Sequence, residues 1–349
     1  MTKPKKTVIF LSPRYYPAIG GVETHVWNLS QELLKLGFNV LIFTTQHDKN
    51  LVLKEKIQGV LIERLPFGKI NKKLATWRWM WQRREELKKA DIIHIHDIFW
   101  WYLPLKFWFF KKPVYTTFHG YEGNILPRWQ AVYHRRLIEI LSKKTMAIGE
   151  FIKKWYKQNP DCVSYGAIKP LVNKESSLTN RQKNTAVFLG RLESDTGVWE
   201  YLKFIKNLKE KIKLDIYGTG SLELSIKCWA KQHRLSVRFC GLTSDPNRVF
   251  LKSRLAFVSQ YLSILNAMIC KTMVVAIYKN SMKKDYLNLH PMAKHMIVVS
   301  SPEELASKIN NLNPQQEQQM INTAYNWAKK QTWTKLTQEY LKMWGQANG

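Results

Sequence analysis

Short, largely apolar runs alternate with longer amphipathic stretches along this chain, and the pattern occurs twice. The first series of runs falls at residues 8–11, 40–44, 60–65, 92–96, 114–118 and 146–148. The second falls at 186–189, 214–217, 237–240, 255–258, 273–277 and 296–299. A strand that is apolar at every position, and not only at alternate ones, has both faces covered, which suggests a parallel sheet between layers of helix. Helical patterns lie between the runs. In residues 21–36, Val22, Val26, Leu29, Leu33 and Leu36 share one face, and Gly37 is the expected stop. Similar patterns occupy 74–89 and 129–142, and 314–344 reads as helices; the polar stretch 176–184 reads as a linker. A strand–helix–strand pattern repeated in two halves predicts an α/β protein of two doubly wound, Rossmann-like domains facing a cleft.

The length of 349 residues, 45% of them apolar, suffices for two domains with separate cores. Lysine and arginine number 55 against 26 acidic residues, a formal net charge of +29. Such a surface attracts polyanions: nucleic acid, anionic headgroups or phosphorylated substrates. A nucleic-acid reader usually carries a basic helix or a recognisable module; here the charge is spread over both halves, so no nucleic-acid partner is expected. Cys162, Cys228, Cys240 and Cys270 form no CxxC pair, and reduced, packed thiols are expected. Residues 1–6 are basic but run straight into a strand-like segment, unlike a signal peptide. The most apolar stretch, 98–110, is too short to span a bilayer and contains Lys106. The expectation is a cytoplasmic protein, soluble or peripheral on the inner face of the membrane.

Several strand ends carry chemistry. The loop after the first strand ends in Gly20-Gly21 and opens a helix, whose free N–H groups suit an anion; an ordinary flexible connection is the other reading. His119 follows another strand directly, where an imidazole can hydrogen-bond a sugar hydroxyl or sit as a satisfied structural residue. His94 and His96 lie two apart within one strand, too few ligands for a metal site. Gly190-Arg191-Leu192 follows a strand, and Asp195-Thr196-Gly197 then opens a helix. A guanidinium there can fork onto two diphosphate oxygens. Tyr217-Gly218-Thr219-Gly220-Ser221 is a second glycine-rich turn in the same half, which is either a phosphate cradle or a plain strand–helix turn.

Together these pieces resemble the retaining glycosyltransferases of family 4, with the GT-B fold, over almost the whole chain. Residues 17–36 with Gly20-Gly21-Val22-Glu23-Thr24-His25 resemble the family's N-terminal acceptor-side loop and helix, and residues 90–96 its "aDivhvH" strand. His119-Gly120 matches the active-site histidine segment, Gly190-Arg191-Leu192 the "GRL" donor element, Gly218-Thr219-Gly220 the "GxG" turn, and residues 261–268 the "lEAMa" helix. The resemblance implies an acceptor-side domain at 1–168, a nucleotide-sugar domain at 169–330, and a last helix at 331–349 returning to the first domain. It also implies a hexosyltransferase-like enzyme that retains anomeric configuration, uses a nucleotide-diphosphate sugar as donor, and needs neither metal nor cofactor. Arg191 would hold the diphosphate; Gly20, Gly21, Thr196, Gly218, Gly220, Ser263 and Asn266 would line the donor site; His119 would contact the transferring sugar.

The sequence departs from that pattern at named places. Asp195-Thr196-Gly197 stands where the family usually has a lysine, and the family's two glutamates fall on Val258 and Asn266. Gly149 and Tyr165 replace a serine and an asparagine. A catalytically weakened relative that binds a sugar nucleotide or scaffolds a partner is the alternative, and a sugar-nucleotide epimerase, which shares the fold, is another. Aromatics interleaved with cations at Trp77–Arg84 and at 99–112 suit an anionic bilayer interface. Trp79, Trp81, Arg83, Arg84, Trp100 and Trp101 would then face the membrane and a lipid-linked or glycan acceptor of envelope polysaccharide synthesis; the same rings packed in a core is the other reading.

Overall fold

A computed structural model describes residues 5–68, 72–121, 126–171, 182–208 and 211–346. Contacts divide the chain into two units, one running to Ser164 and including everything from Trp333 on, the other spanning Tyr165–Thr332. The break at 164/165 lies four residues before the expected 168/169. Of the expected linker 176–184, residues 176–181 lie outside the described residues, and a strand already begins at Gln182.

In chain order the first unit runs β1 (Thr7–Leu11), α1 (Gly21–Lys35), β2 (Asn39–Thr45), β3 (Lys54–Ile57), β4 (Val60–Leu65), α2 (Lys73–Trp81), α3 (Arg84–Lys89), β5 (Ile92–His96), α4 (Leu103–Trp108), β6 (Val114–Phe118), α5 (Trp129–Leu141), β7 (Lys144–Ile148), α6 (Phe151–Tyr156) and β8 (Cys162–Ser164). Among the described residues its sheet has eight strands in the order β3-β4-β2-β1-β5-β6-β7-β8. Every neighbouring pair is parallel except β3 with β4. The β3 sequence, Lys-Glu-Lys-Ile, has no apolar run, and this edge strand escaped sequence reading; its charges blunt a sheet edge that would otherwise be open to pairing. The expected helix over 74–89 is two helices, because the chain turns at Arg83. The Arg83 guanidinium donates to Glu63 Oε2 at 2.8 Å and stacks 3.9 Å from the Trp79 ring.

The second unit runs β9 (Gln182–Leu189), α7 (Val198–Asn207), β10 (Lys213–Tyr217), α8 (Glu223–Gln232), β11 (Val237–Gly241), α9 (Pro246–Phe250), β12 (Ser253–Phe257), α10 (Tyr261–Ile269), β13 (Met273–Ile277), α11 (Ser281–Asn288), β14 (Ile297–Val299), α12 (Pro302–Asn310) and α13 (Pro314–Ala328). Its strands lie in the order β11-β10-β9-β12-β13-β14, all parallel. Buried side chains such as Leu214, Ile216, Phe257, Val275 and Ile277 pack against Tyr201, Leu202 and Ile205 of α7. Each large apolar side chain so buried stabilises by about 1.5–3 kcal/mol. Tyr201 stacks on Phe257 at 4.4 Å and 3°, and its buried hydroxyl donates to Val275 O and accepts from Ile277 N–H, so its polar end is satisfied.

The final helix, α14 (Trp333–Met343), belongs to the first unit and packs on α1. In both sheets the first strand has neighbours on both sides, and the strand order reverses there. Those points lie at β1/β5 and β9/β12. Ligands of doubly wound folds bind beyond the carboxyl ends of the strands at such a reversal.

Candidate active site

Toward the carboxyl ends of β5 and β6 the first unit assembles four imidazoles. His94 and His96, two apart on β5, point to one face of the sheet; His25 comes from α1 and His119 from the residue after β6. The rings of His25 and His119 lie 4.7 Å apart, and those of His96 and His119 5.0 Å apart. His25, His94 and His96 are buried, whereas His119 keeps a partly exposed edge.

The hydrogen bonds set the tautomers. The Trp344 indole can only donate, and it reaches His94 Nδ1 at 3.0 Å. Neutral His94 therefore carries its proton on Nε2 and donates to Thr117 Oγ1 at 2.8 Å. Running the remaining donors in the same direction satisfies every member: Thr117 Oγ1 donates to the Tyr340 hydroxyl at 2.9 Å, which donates to His25 Nε2 at 2.8 Å. A separate bond joins His96 Nδ1 and His119 Nε2 at 2.8 Å, while His96 Nε2 has no partner among the described residues. An orphan lone pair is tolerated better than an orphan N–H. His96 thus donates through Nδ1, and His119 retains its own proton on Nδ1.

Burial holds all four imidazoles neutral, and their mutual repulsion adds to it. His25, His94 and His96 lie well below the usual histidine range, chiefly through desolvation and then through neighbouring histidines. His119 is pushed down to about 3, first by desolvation and then by the Arg135 guanidinium. Arg135, on α5, stacks 3.8 Å from the Tyr156 ring and donates to Gly120 O at 2.6 Å. Asp97, at φ +62°, accepts from the His119 backbone N–H at 3.0 Å and fixes that residue's backbone. His119 can therefore offer a hydrogen-bond donor near neutral pH, but neither an imidazolium nor a strong base. Among the described residues no three of His, Cys, Asp and Glu converge as metal ligands would.

The Gly20-Gly21 loop leads from β1 into α1, with Gly20 extended at the helix start. Gly21 faces open space, whereas the Glu23 carboxylate folds back over Gly20, so an anion reaching Gly20 would have to displace it.

At the reversal of the second sheet, Arg191 follows β9 with its side chain 63% exposed and donates to Asp195 Oδ2 at 2.8 Å. Thr196 is buried and its hydroxyl donates to Glu193 O at 2.7 Å, so it faces inward and not toward a ligand. Ser263 and Asn266 are half-buried on α10.

Expectation and structure part at the Gly218–Ser221 turn. Gly218 has φ +144°, and a Cβ there would lie 1.8 Å from Gly190 O; one at Gly220 would lie 2.4 Å from Leu192 O. The two turns press backbone to backbone, and the glycines are accounted for by that packing. Gly218 N–H already bonds Gly241 O. Ser221 N–H and Oγ donate to the Glu193 carboxylate at 2.9 and 2.6 Å. Those two bonds hold the Glu193 carboxyl below its usual range. The anion seated at the start of α8 is thus the protein's own, and the expected phosphate cradle at Gly218 and Gly220 is replaced by an internal cap.

The aromatic segments are also corrected. Trp79 is 7% and Trp101 2% exposed, packed ring to ring at 6.1 Å within the core of the first unit, so neither faces a membrane. Arg83 is spent on Glu63, and Trp100 is half-buried, its carbonyl accepting from the Trp77 indole. Trp81 and Arg84 stay partly exposed, with Arg84 5.5 Å from the Trp81 ring. The exposed apolar surface lies further on, at Phe107 (70%), Trp108 (66%) and Phe110 (69%), with Trp108 against Trp81 at 5.1 Å. A second stripe on α5 joins Trp129, Tyr133, Leu137 and Ile140, which share one helix face. No described helix is long and apolar enough to cross a membrane.

Arg191, the residue singled out by the "GRL" element, lies exposed just beyond β9 at the strand reversal. Asp97, Arg135, Thr117, Tyr340 and Trp344 were missed by sequence reasoning; only the His94 and His96 spacing hinted that polar groups would gather there.

Two Rossmann-like, largely parallel sheets are the architecture of the GT-B fold. The family described as Glycosyltransferase Family 4 matches residues 19–161, and that described as Glycosyl transferases group 1 matches residues 172–327. The chain belongs to the family 4, group 1 glycosyltransferases. A sucrose-phosphate synthase from Thermosynechococcus elongatus is similar in structure with TM-score 0.80 and 15% identity, over 98% of this chain and 99% of that one. HepE of Anabaena in complex with UDP-glucose aligns with TM-score 0.70 and 14% identity, over 96% and 99%. In sequence, 60 residues are 33% identical to the GPI3 subunit of the phosphatidylinositol N-acetylglucosaminyltransferase of Saccharomyces cerevisiae. That stretch is 17% of this chain, and the chain matches only 13% of the yeast subunit's length.

Proposed function

We propose that this glycosyltransferase moves a hexose from a nucleotide diphosphate, with retention of configuration and without a metal or cofactor, onto a lipid-linked or envelope-glycan acceptor at an anionic membrane surface. The observation that carries the donor side is Arg191: an exposed guanidinium beyond β9, at the strand reversal, paired among the described residues with the partly exposed Asp195 carboxylate. Diphosphate oxygens draw it off Asp195 at small cost, since an exposed ion pair contributes about 0–1 kcal/mol. The UDP-glucose complex of HepE supports a uridine nucleotide as the first donor to try. In this reading His119 donates a hydrogen bond to the transferring sugar, and fixed dipoles supply much of the rate. A thermal-shift screen with UDP-, GDP- and ADP-sugars tests it, because a ligand that binds the folded state raises its melting temperature. Arg191→Ala should weaken donor binding by about 1.5–3 kcal/mol, the worth of a charge-assisted hydrogen bond. Equal shifts for wild type and Arg191→Ala would remove Arg191 from the site.

The name of the yeast relative, which acts on phosphatidylinositol, supports a lipid acceptor. So does the exposed set Phe107, Trp108 and Phe110 beside Lys106 and Lys111, together with the α5 stripe flanked by Arg128 and Arg136. Rings that enter the headgroup region contribute about 1.5–3 kcal/mol each. The double variant Phe107→Ala, Trp108→Ala should therefore lose more than roughly tenfold in co-sedimentation with anionic vesicles at low salt. No vesicle binding by the wild type would sink the membrane part of the proposal and leave the donor part standing.

A second reading, a weakened transferase that binds the sugar nucleotide without efficient turnover, is favoured by Val258, Asn266 and the inward-facing Thr196. Asn266→Glu separates the two: a large gain in turnover marks an impaired enzyme.

A further inference from the structure

Lys283, on α11, is only 2% exposed. Lysine is rarely buried, because removing an ammonium from water is costly unless a partner compensates. Its Nζ donates to Ser259 O at 2.5 Å and lies 4.1 Å from the Tyr286 ring. Ser259 follows β12 and Arg191 follows β9, neighbouring strands at the reversal of the sheet, and α11 follows β13, the next strand along. Lys283 therefore brings a buried amine to the same end of the same three strands that hold the candidate diphosphate ligand. The charges that act on it are Asp195, which favours the ammonium, and Arg191, which opposes it. Those two residues are the ion pair that a diphosphate would have to open.

Resting on the donor reading above, we infer that Lys283 is the second cation of the nucleotide-diphosphate site and that it takes up a proton when the diphosphate binds. In the free chain, burial is the leading cause that pushes the amine down to about 7, with Arg191 adding to it, so near neutral pH both forms are populated. Binding changes both electrostatic influences in one direction. Two phosphate groups bring negative charge to the strand ends, and Arg191 turns from Asp195 to the phosphates, leaving Asp195 free to pair with the ammonium. Among the groups that act on Nζ are Asp195 and Arg191 from the turn after β9, the Ser259 carbonyl from the turn after β12, and the Tyr286 ring, on which Tyr261 of α10 stacks. In this step the Nζ lone pair takes a proton from a buffer acid or hydronium, which keeps its bonding pair; an N–H bond forms, the donor's bond to hydrogen breaks, and no other bond changes. Thr196, at the position where a lysine would be expected on the turn itself, faces inward, so the charge is supplied from α11 instead.

Calorimetric titration of the full chain with UDP at pH 7.5, in two buffers of different ionisation enthalpy, reads proton uptake directly; GDP and ADP serve as further probes. The wild type should take up a substantial fraction of one proton per nucleotide. Lys283→Met, of similar length and uncharged, should abolish that uptake and weaken binding roughly tenfold or more. Lys283→Arg should keep the affinity but show no uptake. If the observed heat of wild-type UDP binding, before any correction for buffer ionisation, is the same in both buffers, or if Lys283→Met binds with unchanged affinity and uptake, the inference is overturned while the donor site stands. If the wild type binds none of the three nucleotides, the donor reading fails and this inference with it. Should Lys283→Met not fold, the wild-type buffer dependence alone decides.

Discussion

Acidification from pH 7 to pH 5 should unfold the first unit cooperatively. His25, His94 and His96 are neutral and buried in the folded chain. In the unfolded chain each binds a proton once the pH falls below about 6.5. Their folded values are depressed, so the stability they contribute is present in full above 6.5 and is lost as the pH falls toward those values. Each such imidazole costs about 1.4 kcal/mol per pH unit in that window. Three together approach about 4 kcal/mol per unit, against a typical total stability of about 5–15 kcal/mol. His119, pushed down to about 3, adds in the same direction. Trp333 and Trp344 sit against His25 and His94, so tryptophan fluorescence reports the event, and circular dichroism gives its extent. His96→Phe should move the midpoint to lower pH by removing one proton from the balance. A fold that holds unchanged to pH 4 would mean these imidazoles are not sequestered as described.

Replacing His119 by alanine should lower the turnover of sugar transfer by about a hundredfold to a thousandfold, the loss that follows removal of one preorganised donor from a reacting centre. Donor affinity should change little, since on the proposed reading the diphosphate is held by Arg191 and not by His119. His119→Asn is the informative companion. Its side-chain N–H can stand near the Nδ1 position, so it should recover part of the loss, which a base or an imidazolium role would not allow. The wild-type rate should show no ionisation of His119 between pH 6.5 and 9, because its proton affinity is too low to titrate there. Equal turnover in the wild type and both variants would leave His119 as one more packed residue of the cluster.

How much of this was legible beforehand varies from element to element. Strands β4, β5, β6 and β13 were readable to the residue because each is a short segment dominated by apolar and β-branched residues, a local signal that needs no knowledge of neighbours. Strand β3 was not, since its alternating charges carry no such run. Arg191 and His119 stood out because they follow strands directly. Gly218 and Gly220 stood out for the wrong reason: a phosphate cradle and a close backbone crossing both require glycine, and only the position of Gly190 O distinguishes them. Trp79 and Trp101 were misplaced on the surface because a tryptophan beside arginines reads alike in a core and at a membrane until its packing is known.

What the chain's own order of residues determined is the architecture: two largely parallel sheets whose strands are joined by helices, set by periodicities that are local and additive along the chain. What only tertiary structure decided is which polar groups lose their water and whom they meet. His25 and Tyr340 bond across 315 positions of sequence, and Glu193 caps a turn 28 positions away. Lys283, one of 55 cations in the sequence, is buried, with its Nζ on Ser259 O beyond β12. Desolvation and pairing belong to positions in space, and for that reason a residue's charge state and role emerge only when the strands that carry its neighbours have come together.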